Sequence, residues 1–145
     1  MQRVRRAWVV VDNDVVGSIE HGLLVYLGAG KHDTDDDVAR VAEKIATLRV
    51  FEDAVGKMSL SVVDVAGAVL VVPQFTLYGD VRSGRRPSFE AAAEPGRAEQ
   101  LYDAVCRKLR ARDLPVETGR FRATMAVHCE VDGPVTILVD TQKTF

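Results

Sequence analysis

Ala68-Val69-Leu70-Val71-Val72-Pro73-Gln74-Phe75 is the stretch on which the fold turns. Its apolar residues run on without the alternation of a half-exposed strand, so the pattern predicts a strand over Ala68 to Phe75, covered on both faces at the centre of a sheet. The run then gives way to Thr76-Leu77-Tyr78-Gly79-Asp80 and Gly84-Arg85-Arg86-Pro87-Ser88-Phe89. Strand ends are where sheet proteins place binding groups, and backbone N–H groups released from the ladder there can hold an oxyanion. A plain strand, turn and arginine-rich loop has the same pattern, so the residues alone leave both readings open.

Upstream, three strands are expected over Ala7 to Val11, Val15 to Ile19 and Leu23 to Leu27, divided by the Asp12-Asn13-Asp14 turn and by Gly22. After Gly28-Ala29-Gly30 a helix should begin with Asp33 or Thr34 as its cap. Asp35, Asp36 and Asp37 then lie at the positive end of its dipole, and Val38, Val41, Ala42, Ile45 and Leu48 share one face. Val50 to Asp53 reads as a short strand. Downstream, a second helix runs from Pro95 to Ala111, burying Ala98, Leu101, Tyr102, Val105 and Leu109, and Leu114-Pro115 stops it. Met125, Val127, Cys129 and Val131 then alternate with Thr124, Ala126, His128 and Glu130. Asp132-Gly133-Pro134 is expected to turn the chain into a last strand, Val135 to Asp140.

Two helices among many strands make an α+β (mixed α/β) domain spanning residues 1–145, with no repeat or linker to divide it. At 145 residues, 47% hydrophobic and 28% charged, the chain can bury its own core without staples. No apolar run approaches the ~20 residues of a membrane span. The N-terminal apolar stretch is too short for a secretory signal, so a cytoplasmic protein is expected. Cys106 and Cys129 match no metal or redox spacing and are expected to be buried thiols. A net charge of −2 argues against holding long duplexes by charge. Residues 82–122 nevertheless hold ten basic and six acidic residues, which permits a local phosphate-binding face.

Familiar motifs fail letter by letter. Gly28-Ala29-Gly30-Lys31 would need Gly at Val25 and Ser or Thr at His32 for a phosphate loop. The third glycine of a dinucleotide fingerprint would fall at Asp33. The Asp33–Asp37 cluster lacks a calcium loop's glycine and final Glu, and His21, His32 and His128 share no metal or triad spacing. Asp132-Gly133-Pro134-Val135-Thr136 is either a hairpin turn or a site where a Gly-Pro bond is cis.

Taken together, the two signature segments, Gln74-Phe75-Thr76-Leu77-Tyr78 and Asp132-Gly133-Pro134-Val135-Thr136, resemble the D-aminoacyl-tRNA deacylase family. Gly22-Leu23-Leu24-Val25, Gly56-Lys57-Met58, Gly84-Arg85-Arg86-Pro87-Ser88-Phe89 and Val116-Glu117-Thr118-Gly119-Arg120-Phe121 match family stretches in the same order. The resemblance implies a compact or barrel-like β core with two main helices, and a homodimer with active sites at the subunit interface. It implies that Gln74, Phe75 and Thr76 serve catalysis while Gly133 and Pro134, in cis and from the partner, exclude L-amino acids. Arg3 would brace that pair, and Phe121 and Met125 would contact the terminal adenosine of tRNA. No cofactor, metal, membrane or DNA is implied. The reaction would be hydrolysis of D-aminoacyl-tRNA, and of Gly-tRNA as a further substrate, as chiral proofreading. The ribose 2′-hydroxyl would assist water, and Thr76 as nucleophile would be the second reading.

This chain departs from the family pattern at four positions. Pro73 stands for a usual Ser, Val131 for a usual Asn, and Arg122 and Thr124 for a usual Gly and Asp. Pro73 is a feature of a sister branch that edits L-alanyl-tRNA, which is the alternative activity. A non-catalytic tRNA-end-binding protein is the alternative of another class. By the family's measure the chain also begins about four residues late, which would shorten the first strand.

Overall fold

The computed structural model describes residues 1–144. The chain runs β1 (Gln2–Val11), β2 (Asp14–Ile19), β3 (Gly22–Leu27), α1 (Asp35–Thr47), β4 (Phe51–Glu52), β5 (Met58–Leu60) and β6 (Ala68–Pro73). A 3-10 turn (Phe75–Tyr78), α2 (Pro95–Arg110), β7 (Val116–Thr118) and β8 (Ala126–Thr136) follow. β3, β6 and β7 are parallel neighbours, while β1 pairs antiparallel with β2, β3 and β8. The mixed sheet curls into a nearly closed barrel flanked by two helices, an α+β architecture as expected. β4 and β5 form a separate two-stranded sheet.

The unbroken apolar run of β6 has the physical reason its pattern predicts. Val69 and Val71 face the core shared with α1 and α2, whereas Leu70 and Val72 face the barrel interior with Val4, Val9 and Leu24. Its neighbour β3 divides in the same way, Leu23 and Val25 toward the helices and Leu24 inward. All nine of these Leu and Val residues, on the two central strands and β1, are at most 4% exposed. At about 25 cal/mol per Å² of apolar area, this double burial is the main favourable term holding the barrel to its helices.

The helix ends follow local chemistry. Thr34 caps α1, and its N–H and Oγ1 both donate to the Asp37 carboxylate, at 2.9 and 2.8 Å. Those bonds hold Asp37 below the ordinary carboxylate range. Pro95 opens α2, where its missing N–H costs nothing, and the helix ends one residue short of the expected Ala111.

Four expectations are corrected. β6 ends at Pro73, and Phe75 begins a 3-10 turn instead of closing the strand. β1 starts at Gln2 and is ten residues long, because its arginines pair with acidic residues of β8. Asp132-Gly133-Pro134 does not turn the chain: β8 continues to Thr136, and no strand follows over Val135 to Asp140. Only Cys106 is buried; Cys129, which pairs with Ala7 on the face of β8 that also carries Val127, is exposed. His128, also exposed, stacks on Trp8 with ring centroids 4.9 Å apart.

Candidate active site

The end of β6 delivers Gln74, Phe75 and Thr76 to the surface. The Gln74 N–H still donates to Leu27 O at 2.8 Å, as the last bond that ties this segment to β3. Beyond it the chain enters the 3-10 turn, whose first N–H groups have no partner within the turn. Among the described residues, neither the Phe75 nor the Thr76 N–H donates a hydrogen bond. The Gln74 side-chain amide donates to Thr76 Oγ1. Phe75 is 58% exposed and meets Phe89 edge-to-face at 5.0 Å, which pins the following loop to the turn. Asp80 and Ser88 close that loop by exchanging backbone bonds of 2.8 and 2.9 Å.

Tyr78 supports the segment from below, a role the sequence reading missed. A Cβ at Gly28 would lie 3.2 Å from the Tyr78 ring, and one at Gly30 only 2.8 Å from its hydroxyl. The Gly28-Ala29-Gly30 stretch was legible only as a strand breaker; two glycines one residue apart were the signal for an aromatic ring lying on the loop. Burial, with Asp33 next in effect, pushes Tyr78 up to about 12.

Phe121 and Met125 reach the same end of the sheet from the segment before β8. The Arg120 N–H donates to Met125 Sδ at 3.4 Å. Gly119 leaves room for that sulfur: a Cβ there would lie 2.8 Å from Sδ and 3.3 Å from Pro73 Cδ. Phe121 is half-buried and tilts against Tyr102 at 6.3 Å. The Tyr102 hydroxyl and the Gly119 N–H both donate to Val71 O, at 2.8 and 2.9 Å. Met125 and Pro73 thus form one margin of the Gln74–Thr76 segment.

Gly133 and Pro134 lie elsewhere. Between Gln2↔Thr136 and Val4↔Val131, four residues of β8 oppose Arg3 alone, so Asp132 to Val135 bulge outward. The Gly133–Pro134 bond is cis, Gly133 has φ +123°, and both residues are exposed. Arg3, only 6% exposed, fills the space beneath. Its Nε lies 3.3 Å from Asp132 O and 3.0 Å from the Asp132 carboxylate, and Nη1 donates to Val50 O at 2.8 Å. A shallow groove of about 400 Å³ opens beside this bulge, lined by Arg3, Arg5, His21 and Asp132 among others.

The structure therefore brings Gln74, Phe75, Thr76, Phe121 and Met125 together, and Arg3 with Gly133 and Pro134, but it does not join the two groups within one chain. The bulge sits at the level of Leu23 and Val69, whereas the turn begins beyond Pro73. Four strand rises along the sheet and three strand spacings across it separate them by on the order of 20 Å. Among the described residues, no cluster of three His, Cys, Asp or Glu side chains is placed to hold a metal. No helix is long and apolar enough to cross a membrane.

Comparison with known proteins identifies the lineage. The profile of the family described as D-Tyr-tRNA(Tyr) deacylase matches residues 1–140. The chain belongs to this family. The D-aminoacyl-tRNA deacylase of Koribacter versatilis is 57% identical over 145 residues, covering 100% of this chain and 97% of that protein. The protein of the same name from Sorangium cellulosum is 58% identical over 146 residues, with the same coverage. A solved structure named c-Myc DNA Unwinding Element Binding Protein is 40% identical, with a TM-score of 0.91 over 97% of this chain and 95% of that one. A second, described as a probable eukaryotic D-amino acid tRNA deacylase, is 19% identical with a TM-score of 0.76 over 92% of both chains, and shares the fold.

The four positions that the sequence resemblance marks as unusual fall around the two groups of residues. Pro73 packs on Gly119 at the margin of the turn, Val131 pairs with Val4 at the foot of the bulge, and Arg122 and Thr124 are exposed between Phe121 and Met125.

Proposed function

We propose that this chain hydrolyses the ester joining a D-amino acid to the terminal ribose of tRNA, and so proofreads the chirality of charged tRNA. The observation that carries this reading is the full-length match to D-aminoacyl-tRNA deacylases at 52–58% identity.

In the reaction, water adds to the ester carbonyl carbon, the C–O bond to the ribose oxygen breaks, and a proton passes to that oxygen. The unpartnered Phe75 and Thr76 N–H groups are suited to hold the oxyanion formed in between. Among the described residues, only the Gln74 amide hydrogen-bonds the Thr76 hydroxyl, and an amide is not a base. A hydroxyl without a base is a poor nucleophile. In this reading, following the family resemblance, the ribose 2′-hydroxyl, already beside the ester, assists water. Phe121 and Met125 offer a ring and a thioether to the terminal adenine.

The chain works as a homodimer in this reading. Gly133 and Pro134, some 20 Å from their own turn by strand geometry, meet the turn of a second copy. There their backbone occupies the space that an L side chain would need. Exclusion by backbone atoms accepts many D side chains, since no side-chain pocket is required. The exposed Phe75, Leu77 and Val81 beside the turn fit a surface that is covered on assembly. The protein acts in the cytoplasm, on aminoacyl-tRNA, without a cofactor.

Incubation with D-Tyr-tRNA, L-Tyr-tRNA, Gly-tRNA and mischarged L-Ala-tRNA tests the reading. Loss of the D-Tyr ester, alone or with the Gly ester, is expected. Loss of L-Ala with D-Tyr intact would move the chain to the sister activity, and binding without ester loss would make it a non-catalytic RNA-end binder.

A further inference from the structure

Two arginine-bearing segments flank the Gln74–Thr76 turn, and neither is occupied by the fold. On one side, residues 79–89 carry Arg82, Arg85 and Arg86 on the loop that Phe89 fastens to Phe75. Arg82 is bound by the Asp80 carboxylate at 2.6 Å, which holds Asp80 down to about 2. On the other side, residues 119–125 carry Arg120 and Arg122 on the turn that places Met125 against Gly119 and Pro73. Asp80 is the only acid in these two segments, against five arginines. Among the described residues, the guanidinium groups of Arg85, Arg86, Arg120 and Arg122 have no carboxylate within 4.0 Å and no hydrogen-bond acceptor, and all four residues are exposed.

These charges stand out by their place: among the described residues the other arginines without a carboxylate within 4.0 Å, Arg40, Arg49, Arg107 and Arg110, lie on or just after α1 and α2, and Arg110 donates to Val116 O. Arg3, Arg5, Arg6, Arg82, Arg97 and Arg112 each lie within 4.0 Å of a carboxylate. The chain as a whole is acidic, at −2. Arg122 holds its place despite a φ of +59°, a region that an L side chain enters at some cost.

We propose that Arg85 and Arg86 on one flank, and Arg120 and Arg122 on the other, grip the backbone phosphates of the tRNA acceptor end that leads to the terminal adenosine. The proposal rests on the deacylase reading, because it takes the Gln74–Thr76 turn as the point at which the tRNA terminus arrives. A terminal adenosine carries one phosphate into the site, whereas four unpaired guanidiniums spread over two flanks match the several charges of the nucleotides behind it. Guanidiniums bind phosphate through paired N–H groups, and they give affinity without reading sequence. A proofreading enzyme that must serve many tRNAs needs that kind of contact.

The test separates binding from chemistry. Uncharged tRNA is titrated against the wild type, R85Q/R86Q, R120Q/R122Q and the quadruple variant across 50–200 mM salt, while 3′-D-tyrosyl adenosine, which has no phosphate, reports on hydrolysis. The slope of log affinity against log salt is expected to shrink by roughly 0.7 per arginine removed. The quadruple variant should therefore lose a salt dependence of roughly fifty-fold over that range. Hydrolysis of the nucleoside ester should stay within about twofold of wild type, and R85K/R86K should restore most of the slope. An unchanged salt slope in the quadruple variant would overturn the proposal, as would equal loss of activity on the nucleoside ester. Failure of the wild type to cleave the nucleoside ester would instead strike the deacylase reading, and the salt slopes would still be measured without it.

Discussion

The Arg3 guanidinium lies directly beneath Gly133: a Cβ on that glycine would stand 3.2 Å from Arg3 Nη2 and 2.9 Å from the Val135 N. A strand interior is an expensive place for a buried arginine, and this one is satisfied by the Val50 carbonyl, the Asp132 carbonyl and the Asp132 carboxylate. Its three partners come from the linker before β4 and from the bulge of β8. Arg3 therefore ties the exposed Gly133-Pro134 pair to the body of the barrel.

Replacing Arg3 with methionine keeps the length but strands its partners. Because Asp132 retains some access to water, the variant is expected to lose about 2–3 kcal/mol, at the lower end for a broken buried pair. Urea denaturation measures this directly. Activity on D-Tyr-tRNA should fall further than the stability loss explains, since the bulge loses its support. Retained stability would show that the guanidinium bonds do not hold the bulge.

Gly133→Ala adds a side chain where φ is +123° and where the backbone of Val135 already stands. The bulge must shift to admit it. The rest of β8 keeps its pairing, so the expected result is a folded protein. Its kcat/KM for D-Tyr-tRNA should fall by on the order of tenfold to a hundredfold. Circular dichroism and single-turnover kinetics on the same sample check both halves of this expectation.

Thr76→Ala and Phe75→Pro distinguish side-chain from backbone catalysis. The first keeps both N–H groups and removes the hydroxyl; less than about tenfold loss in kcat is expected if the backbone carries the oxyanion. The second removes one N–H at the first position of the 3-10 turn, where proline fits, and should cost roughly a hundredfold or more. The reverse order of severity would favour Thr76 as nucleophile.

Alkaline stability should fall in a defined window. Burial pushes the Cys106 thiol up from 9.0 to about 11 and Tyr78 up from 10.0 to about 12. Each group is neutral when folded, so its contribution is complete below its unfolded value and disappears as pH rises through the folded one. Thermal midpoints are expected to decline from about pH 9 upward, and Cys106→Ala should remove the earliest part of the decline. A profile unchanged by that substitution would refute the assignment.

Much of this was legible in the sequence, and the rest fails for identifiable reasons. Both helices were, because Thr34 with Asp37 and Pro95 mark their starts and a strong apolar period marks their buried faces. The double burial of β6 followed from its unbroken apolar run. The Asp132-Gly133-Pro134 triplet misled, since its local chemistry is that of a turn, yet β1 pairs on both sides of it and holds the strand straight through. Phe75 extended an apolar run but left the strand, because Pro73 has no N–H with which to carry the ladder onward. The role of Tyr78 was hidden because it depends on the gap above two glycines in a distant loop. The separation of roughly 20 Å between the turn and the bulge is a property of strand register, which the order of residues along the chain does not reveal.

The central claim is that one chain supplies the turn and another the bulge. Phe75→Pro and Gly133→Ala, each nearly inactive alone, can be unfolded together and refolded as a mixture. Statistical pairing puts half the dimers in the mixed form, and each mixed dimer holds one site with both an intact turn and an intact bulge. The mixture is therefore expected to recover roughly a quarter of the wild-type rate on D-Tyr-tRNA. A mixed sample no more active than its two components measured separately would contradict a site built from two copies.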